Sequence, residues 1–271
     1  MDKRPIGIFD SGVGGMTVLA EIKKRFPNED LIYLGDTKNF PYGDKSKETI
    51  IKLATKSAGY LISQDVKLII IACGTATSQA LEELKAMYKV PIIGIINPTI
   101  ANIKQNINKK EQTRIGVIAT EGTIRSNKWE EGLLQEIENV KVINKACPLL
   151  APMAEQGWTN NNVAKETIKE YMEPFRNKNI HKIILGCTHY PLFKKLIQKE
   201  LGNNVEIINT GEKIADYLEE YLVNEEIEND KNNKGVCKYY LTDIECNFIQ
   251  VATRLLQDET IQNNIQKINI E

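Results

Sequence analysis

The sequence predicts an α/β protein with two similar α/β domains, mainly parallel sheets, a pseudo-twofold relation and an active site in the interdomain cleft. Short apolar runs alternate with helical patterns, which is typical of a parallel sheet covered by helices on both faces. Two of these runs stop abruptly at a cysteine and polar residues, at 67–76 (KLIIIACGTA) and 182–191 (KIILGCTHYP). The strand-and-helix pattern also starts again after Asn97 and Pro98.

The first half of the chain is predicted to form four strands separated by helices. Its apolar runs are nearly continuous, which indicates strands that are buried on both faces. Ser46 is a suitable cap for the longest helix, and residues 10–15 (DSGVGG) form a glycine-dense turn. Strands are expected at 5–9, 31–34, 68–72 and 91–95, helices at 17–25, 46–63 and 78–87, and a turn-rich loop at 35–44.

The second half repeats this pattern and ends in a tail that departs from it. Strands are expected at 114–119, 140–144, 182–185 and 205–208, a loop at 147–158 and a helix at 163–175. The tail reads as a helix at 212–222, an exposed charged loop at 224–235, an edge strand at 236–242 and a helix at 244–256. Because the tail is expected to return to the first half, the predicted domains are 1–97 with 210–271, and 98–209.

An internal duplication explains the repeated pattern. A strand glycine, a proline-containing loop and a cysteine recur in the same order, 109, 111 and 114 positions apart. These pairs are Gly7 and Gly116, Pro41 and Pro152, and Cys73 and Cys187. Chance similarity among α/β strands is the alternative explanation.

Composition excludes several functional classes. The chain has 35 basic and 36 acidic residues and a net charge of −1, so no nucleic acid or anionic membrane is expected as a partner. No apolar run is long enough to span a bilayer, and the polar N-terminus does not resemble a secretory signal, so a cytoplasmic protein is expected. Five scattered cysteines and two histidines predict neither a disulfide scaffold nor a metal site. No nucleotide-binding motif occurs, and no cofactor is expected.

Cys73 and Cys187 are the candidate catalytic residues. Each follows a buried strand, and ligands in open α/β sheets lie beyond the carboxyl ends of such strands. Two duplicated halves that face each other would place one thiol on each side of a substrate. That arrangement suits racemisation, in which one group removes a proton from carbon and the other returns a proton from the opposite face. Helix N-termini after both cysteines are expected to lower the thiol pKa towards neutrality. The alternative is a pair of buried structural cysteines.

Three further side chains could support the thiols. Asp10 ends the first strand, in the same layer as Cys73, and His189 lies two residues after Cys187. Glu155 lies in the loop after Pro152. The alternative readings are turn formation for Asp10 and solvent exposure for Glu155. The glycines of the 10–15 turn allow close backbone approach to an anion.

Together these residues resemble the glutamate racemases of the aspartate/glutamate racemase superfamily. The matching stretches are GIFDSGVGGMTV (7–18), YLGDTKNFPYGDKS (33–46), IIIACGTAT (69–77), PIIGIINP (91–98), IGVIATEGTIRS (115–126), CPLLAPMAEQG (147–157) and GCTHYPL (186–192). The resemblance implies cofactor-independent interconversion of L- and D-glutamate, which supplies D-glutamate for peptidoglycan. It leaves a homodimer open.

The resemblance also implies roles for individual residues. Cys73 would take the proton from D-glutamate and Cys187 would take it from L-glutamate. Asp10, Glu155 and His189 would support them. The substrate-binding positions would be Asp10, Ser11, Tyr42, Gly43, Gly74, Thr75, Thr123, Thr188 and His189.

Gly74 departs from the family pattern, which commonly has Asn after the first cysteine. If glycine has only lost a substrate contact, Gly74→Asn should lower KM; if it makes room for another geometry, the substitution should impair turnover. Three other functions stay open on the sequence: a racemase of aspartate or a related amino acid, a lyase or decarboxylase that uses the same thiols, and a binding protein with a two-domain cleft.

Overall fold

Two parallel sheets organise the chain, for which the computed structural model describes residues 1–107, 112–229, 234–244, 246–256, 259, 261 and 264–270. The first sheet has six strands: β1 (Ile6–Asp10), β2 (Leu31–Gly35), β3 (Leu68–Ile71), β4 (Ile92–Gly94), β9 (Cys237–Leu241) and β10 (Ile265–Lys267). The second has four: β5 (Thr113–Ala119), β6 (Val140–Ala146), β7 (Lys182–Leu185) and β8 (Glu206–Asn209). We call each sheet with its covering helices the six-stranded half and the four-stranded half.

The two halves share one topology. The strand order is β10-β9-β2-β1-β3-β4 in the six-stranded half and β6-β5-β7-β8 in the other. Removing β9 and β10 makes the two orders equivalent, with β1 matching β5 and β3 matching β7. All recorded pairings are parallel. The predicted fold class, two similar α/β units with parallel sheets, is confirmed.

Helices cover both faces of each sheet, which is why the central strands are apolar throughout. All four residues of β3 and all five of β1 are buried. The helices are α1 (Met16–Arg25), α2 (Lys47–Ser63), α3 (Gly74–Met87), α4 (Ile96–Gln105), α5 (Glu121–Arg125), α6 (Lys128–Glu136), α7 (Leu150–Glu155), α8 (Asn162–Met172), α9 (Lys194–Leu201), α10 (Thr210–Asn224) and α11 (Cys246–Leu256). Ser46 caps α2, as predicted, by accepting a hydrogen bond from the amide of Thr49.

The tail returns to the six-stranded half. Helix α10 packs on α1 in one apolar cluster that includes Val18, Ile22, Ile214 and Leu218. Strand β9 pairs in parallel with both β2 and β10, so the prediction that 236–242 is an edge strand is wrong. The edge is β10, which carries no strong apolar pattern. The domain boundaries at 97/98 and 209/210 stay a prediction, and α4 runs across the first of them.

Several local features also differ from the prediction. Helix α3 begins at Gly74, immediately after Cys73, rather than at residue 78. The expected loop at 147–158 contains α7, and α4, α5 and α6 were not predicted. Of the predicted charged loop, residues 230–233 lie outside the described residues, as does residue 245 in the predicted last helix. Among the residues that the structure describes, no helix has the length and apolarity needed to cross a membrane.

Candidate active site

The two candidate thiols lie at the carboxyl ends of the equivalent strands β3 and β7. Cys73 is the N-cap residue of α3, and its Sγ accepts a hydrogen bond from the amide of Ala76 at 3.4 Å. Its Sγ also lies 3.8 Å from Oγ of Ser11. Cys187 instead precedes a short 3-10 helix (Tyr190–Phe193) that leads into α9, so the helix expected after this cysteine begins later than the one after Cys73. Both thiols are buried in the protein.

A chain of three side chains extends from Cys187. His189 Nδ1 lies 3.8 Å from Sγ of Cys187, and His189 Nε2 lies 2.8 Å from Oε1 of Glu155. Burial lowers the pKa of His189, but its interactions with Cys187 and Glu155 outweigh burial and raise that pKa well above the ordinary value. The raised pKa favours the imidazolium form of His189, in which one N–H is directed at the thiol and the other at the carboxylate.

The surroundings of Cys73 disfavour its thiolate form. Burial and the neighbouring carboxylate of Asp10 raise the pKa of Cys73 to about 12, and the Ala76 amide and the Ser11 hydroxyl offset only part of this. The expectation that the helix N-terminus would lower this pKa is wrong, because desolvation of the thiolate outweighs one amide. Burial likewise raises the pKa of Asp10 from 3.8 to about 6, against His189 and its hydrogen bonds.

Hydrogen bonds join the two halves on the Cys187 side of the cleft. The hydroxyl of Thr188 donates to Oδ2 of Asp10 at 3.2 Å, and the hydroxyl of Thr17 donates to the carbonyl of Thr188 at 2.8 Å. The amide of Val13 donates to Oε1 of Glu155 at 3.2 Å. Residues of the glycine-dense turn therefore contact the segment that carries Thr188 and the end of α7, which carries Glu155.

Three threonine hydroxyls join the halves on the Cys73 side. Oγ1 of Thr75 lies 2.8 Å from that of Thr120 and 3.2 Å from that of Thr123. Sequence reasoning missed Thr120, although the duplication contained the signal. The offset of 109 that relates Gly7 to Gly116 also relates Ser11 to Thr120.

Gly43 and Gly74 meet the four-stranded half closely, whereas the Tyr42 ring packs in the core of the six-stranded half. The Tyr42 hydroxyl donates to Oδ2 of Asp36 at 2.6 Å, so this hydroxyl is directed at a buried carboxylate. The Gly43 carbonyl accepts from the amide of Gly122 at 2.8 Å, across the cleft. A Cβ added at Gly74 would overlap the carbonyl oxygen of Gly186. Asp36, Gly122 and Gly186 are further residues that the sequence did not single out for the site.

The twelve predicted site residues thus lie around one interface between the halves. Their substrate-binding and catalytic roles stay predictions. Among the described residues, no group of three or more His, Cys, Asp or Glu side chains is arranged to hold a metal ion.

Comparison with known proteins gives consistent matches over most of the chain. The family model described as Asp/Glu/Hydantoin racemase matches residues 16–218. The glutamate racemase of Geobacter metallireducens is 40% identical over 256 residues, which cover 94% of each chain. That of Sulfurihydrogenibium sp. is 42% identical over 256 residues, again 94% of each. The crystal structure of the Francisella tularensis glutamate racemase in complex with D-glutamate matches with a TM-score of 0.91 and 36% identity, covering 100% of this chain and 99% of that one.

Proposed function

Because the chain belongs to the Asp/Glu/hydantoin racemase family, we propose that Cys73 and Cys187 exchange protons with the α-carbon of glutamate from opposite faces. The chain is an amino-acid racemase, an isomerase that interconverts L-glutamate and D-glutamate. The observation that carries the two-thiol mechanism is the position of both cysteines at the ends of equivalent strands in two halves of equal topology.

In the L-to-D direction, Cys187 is the base and Cys73 is the acid. The thiolate of Cys187 takes the α-proton, so the C–H bond breaks and an S–H bond forms. The carbanion spreads its charge into the adjacent carboxylate until the S–H of Cys73 protonates the opposite face. The charges around the site support this assignment. The raised pKa of Cys73 keeps that group protonated as a donor, and the raised pKa of His189 favours a cation beside Cys187.

In the D-to-L direction the two thiols exchange roles. Cys73 must then lose its proton, and Asp10 is the nearby group with a pKa close to working pH. A group whose pKa is near the pH both accepts and returns protons readily. Asp10 therefore supports Cys73, while His189 and Glu155 support Cys187.

Polar groups on both sides of the cleft would bind the substrate. We assign the two carboxylates and the ammonium group of glutamate to Ser11, Thr75, Thr123, Thr188 and the backbone near Tyr42 and Gly43. Thr120 joins this set because its hydroxyl bonds both other threonines of its cluster. The amides at the start of α3 favour a carboxylate there.

The cellular role follows from the product. We propose that the D-glutamate is used for peptidoglycan, and that the enzyme works in the cytoplasm as a homodimer, without nucleic acid or membrane partners. Light scattering after size-exclusion chromatography distinguishes a homodimer from a monomer. The domains are proposed as 1–97 with 210–271, and 98–209.

Replacing each thiol by serine tests the mechanism. Cys73→Ser and Cys187→Ser should each abolish racemisation in both directions, because every turnover uses both groups and a serine hydroxyl is a far weaker acid. Circular dichroism of pure L- and D-glutamate follows the reaction, and Cys237→Ser, on β9, is the matched control with unchanged activity.

A glutamate analogue with a leaving group on its β-carbon separates the two faces. Elimination needs only one thiol, so Cys187→Ser should process the D form alone and Cys73→Ser the L form alone. Near-normal racemisation by either variant, or the same enantiomer preference in both, would contradict the mechanism. Activity on aspartate instead of glutamate would correct the substrate, and release of CO₂ would indicate a lyase or decarboxylase.

A further inference from the structure

Glycines line the seam where the two halves meet, and two of them meet backbone rather than side chains. A Cβ on Gly74 would overlap the carbonyl oxygen of Gly186, and a Cβ on Gly122 would lie 2.8 Å from the carbonyl oxygen of Gly43. A side chain that is too close can rotate away, but a backbone carbonyl held in a strand end or a bonded loop cannot. At these two points only glycine allows the observed approach.

The Gly74–Gly186 contact lies next to both catalytic groups. Gly74 directly follows Cys73 and starts α3, whereas Gly186 directly precedes Cys187 at the end of β7. The amide of Gly186 is held by the carbonyl of Ile118 at 2.8 Å, so its position is tied to β5. A change in the distance between residues 74 and 186 therefore changes the distance between the two thiols.

We propose that the Gly74–Gly186 contact is the stop that sets how far the cleft closes, which makes Gly74 a positioning residue for both thiols. The inference rests on the proposed function, because one α-carbon must lie within reach of Cys73 and Cys187 together. The Gly43–Gly122 contact is the second stop and lies beside the threonine cluster, against Thr75 and Thr120.

The geometry also decides between the two readings of Gly74 that the sequence left open. Any residue other than glycine adds the same Cβ, whatever its side chain can bind. A C···O contact needs about 3.3 Å, so residues 74 and 186 would have to separate by about 1 Å. A misplacement of about 1 Å can reduce turnover by about 100-fold. Gly74→Asn is therefore expected to impair turnover rather than to improve binding.

Kinetics of three variants test the proposal. Gly74→Ala and Gly74→Asn should both lose about 100-fold in kcat in both directions, with KM changed far less, because closure positions the reacting atoms rather than capturing the substrate. Gly122→Ala, with the smaller overlap, should lose about 10-fold. Gly59→Ala is the control, since it is also a helical glycine but its Cβ would meet only the Tyr88 hydroxyl, at 3.3 Å. It should keep wild-type kcat.

Hydrogen exchange gives a readout that does not depend on activity. The amide of Gly122 donates to Gly43 and that of Val13 to Glu155, both across the seam. In Gly74→Ala both amides should lose protection, while core amides of β3 keep theirs, which distinguishes an open cleft from an unfolded protein. In Gly122→Ala, the opening of the cleft should be seen as lost protection of the Val13 amide.

Two results would overturn the proposal. One is a Gly74→Ala variant with wild-type kcat and with wild-type hydrogen-exchange protection of the Gly122 and Val13 amides. The other is a lower KM with unchanged kcat in Gly74→Asn, which would show that the position binds substrate and does not limit closure. If the wild-type protein racemises no amino acid, the proposed function fails, whereas the exchange experiment still decides whether Gly74 limits closure.

Discussion

Replacing Asp10 by asparagine should make the protein more stable and less active. Asp10 ends β1 and is 1% exposed. Its carboxylate accepts hydrogen bonds from the amide of Gly12 at 3.0 Å and from the hydroxyl of Thr188 at 3.2 Å. These bonds do not compensate for desolvation, since burial raises the pKa of Asp10 from 3.8 to about 6. At neutral pH the folded protein therefore holds a carboxylate that would be more stable in water.

The pKa values give the size and the pH dependence of the effect. The folded state binds the proton more tightly than the unfolded state, so this group lowers the free energy of unfolding as pH rises from 3.8 to 6. A rise from 3.8 to about 6 corresponds to about 3 kcal/mol at pH 8 and to about half of that at pH 5. Asparagine carries no charge and keeps an oxygen for the Gly12 amide, so it should recover up to this amount.

Urea unfolding at pH 8 and pH 5 measures the difference. Asp10→Asn should be more stable than the wild type by up to about 3 kcal/mol at pH 8, with a smaller gain at pH 5. Its kcat should fall at least about 10-fold, because an amide does not exchange a proton with Cys73.

Asp36→Asn is the matched control, on the neighbouring strand end. Asp36 accepts from the hydroxyls of Tyr42 at 2.6 Å and Thr242 at 2.9 Å. Its loss should destabilise the protein by about 1–3 kcal/mol, since these donors are buried and the bonds involve a charge. An Asp10→Asn variant that is less stable than the wild type at pH 8 would refute the reasoning, because the carboxylate would then be stabilised by its surroundings.

Two further variants test the charges on the Cys187 side and in the core. Glu155→Gln keeps the acceptor for His189 but removes the charge, so the pKa of His189 should fall, and kcat with L-glutamate should drop about 10-fold at pH 8 while staying near wild type at pH 6. The His189–Glu155 pair stabilises the folded protein fully below the ordinary histidine pKa of about 6.5, and this contribution is lost as pH rises through the raised pKa of His189. If Glu155→Gln lost the same stability at pH 6 and at strongly alkaline pH, that result would contradict the pairing. Lys67→Met should cost about 3–5 kcal/mol in urea unfolding, because Nζ of Lys67 bonds Glu29 at 2.6 Å in a pair that is almost fully buried. Lys104→Met, which breaks a half-exposed pair, should change stability by less than about 1 kcal/mol, and equal losses in both would show that burial of the Lys67 pair is unimportant.

Local patterns were sufficient for most of the framework. Continuous apolar runs identified β1, β3, β5 and β7 as buried parallel strands, because a strand covered on both faces needs no polar alternation. Capping chemistry placed the start of α2 at Ser46, since a hydroxyl there bonds the free amides of the first turn. The position of β9 inside the sheet could not be predicted this way, because it depends on β10. That strand is three residues long and too polar to be recognised from its sequence.

By itself, the sequence determined which side chains are the candidates for the chemistry. Cys73 and Cys187 were found from their equivalent positions in a duplicated pattern, and a strand end is a local feature. The pKa shifts of Cys73 and His189 were decided only by the tertiary structure. Cys73 has a raised pKa because burial and Asp10 act on it together. His189 has one because the thiol of Cys187 and the carboxylate of Glu155, which is 34 residues away in the chain, both face its ring. Desolvation and contact between distant residues exist only after folding, and the same is true of the Gly74–Gly186 contact, which no local pattern contains.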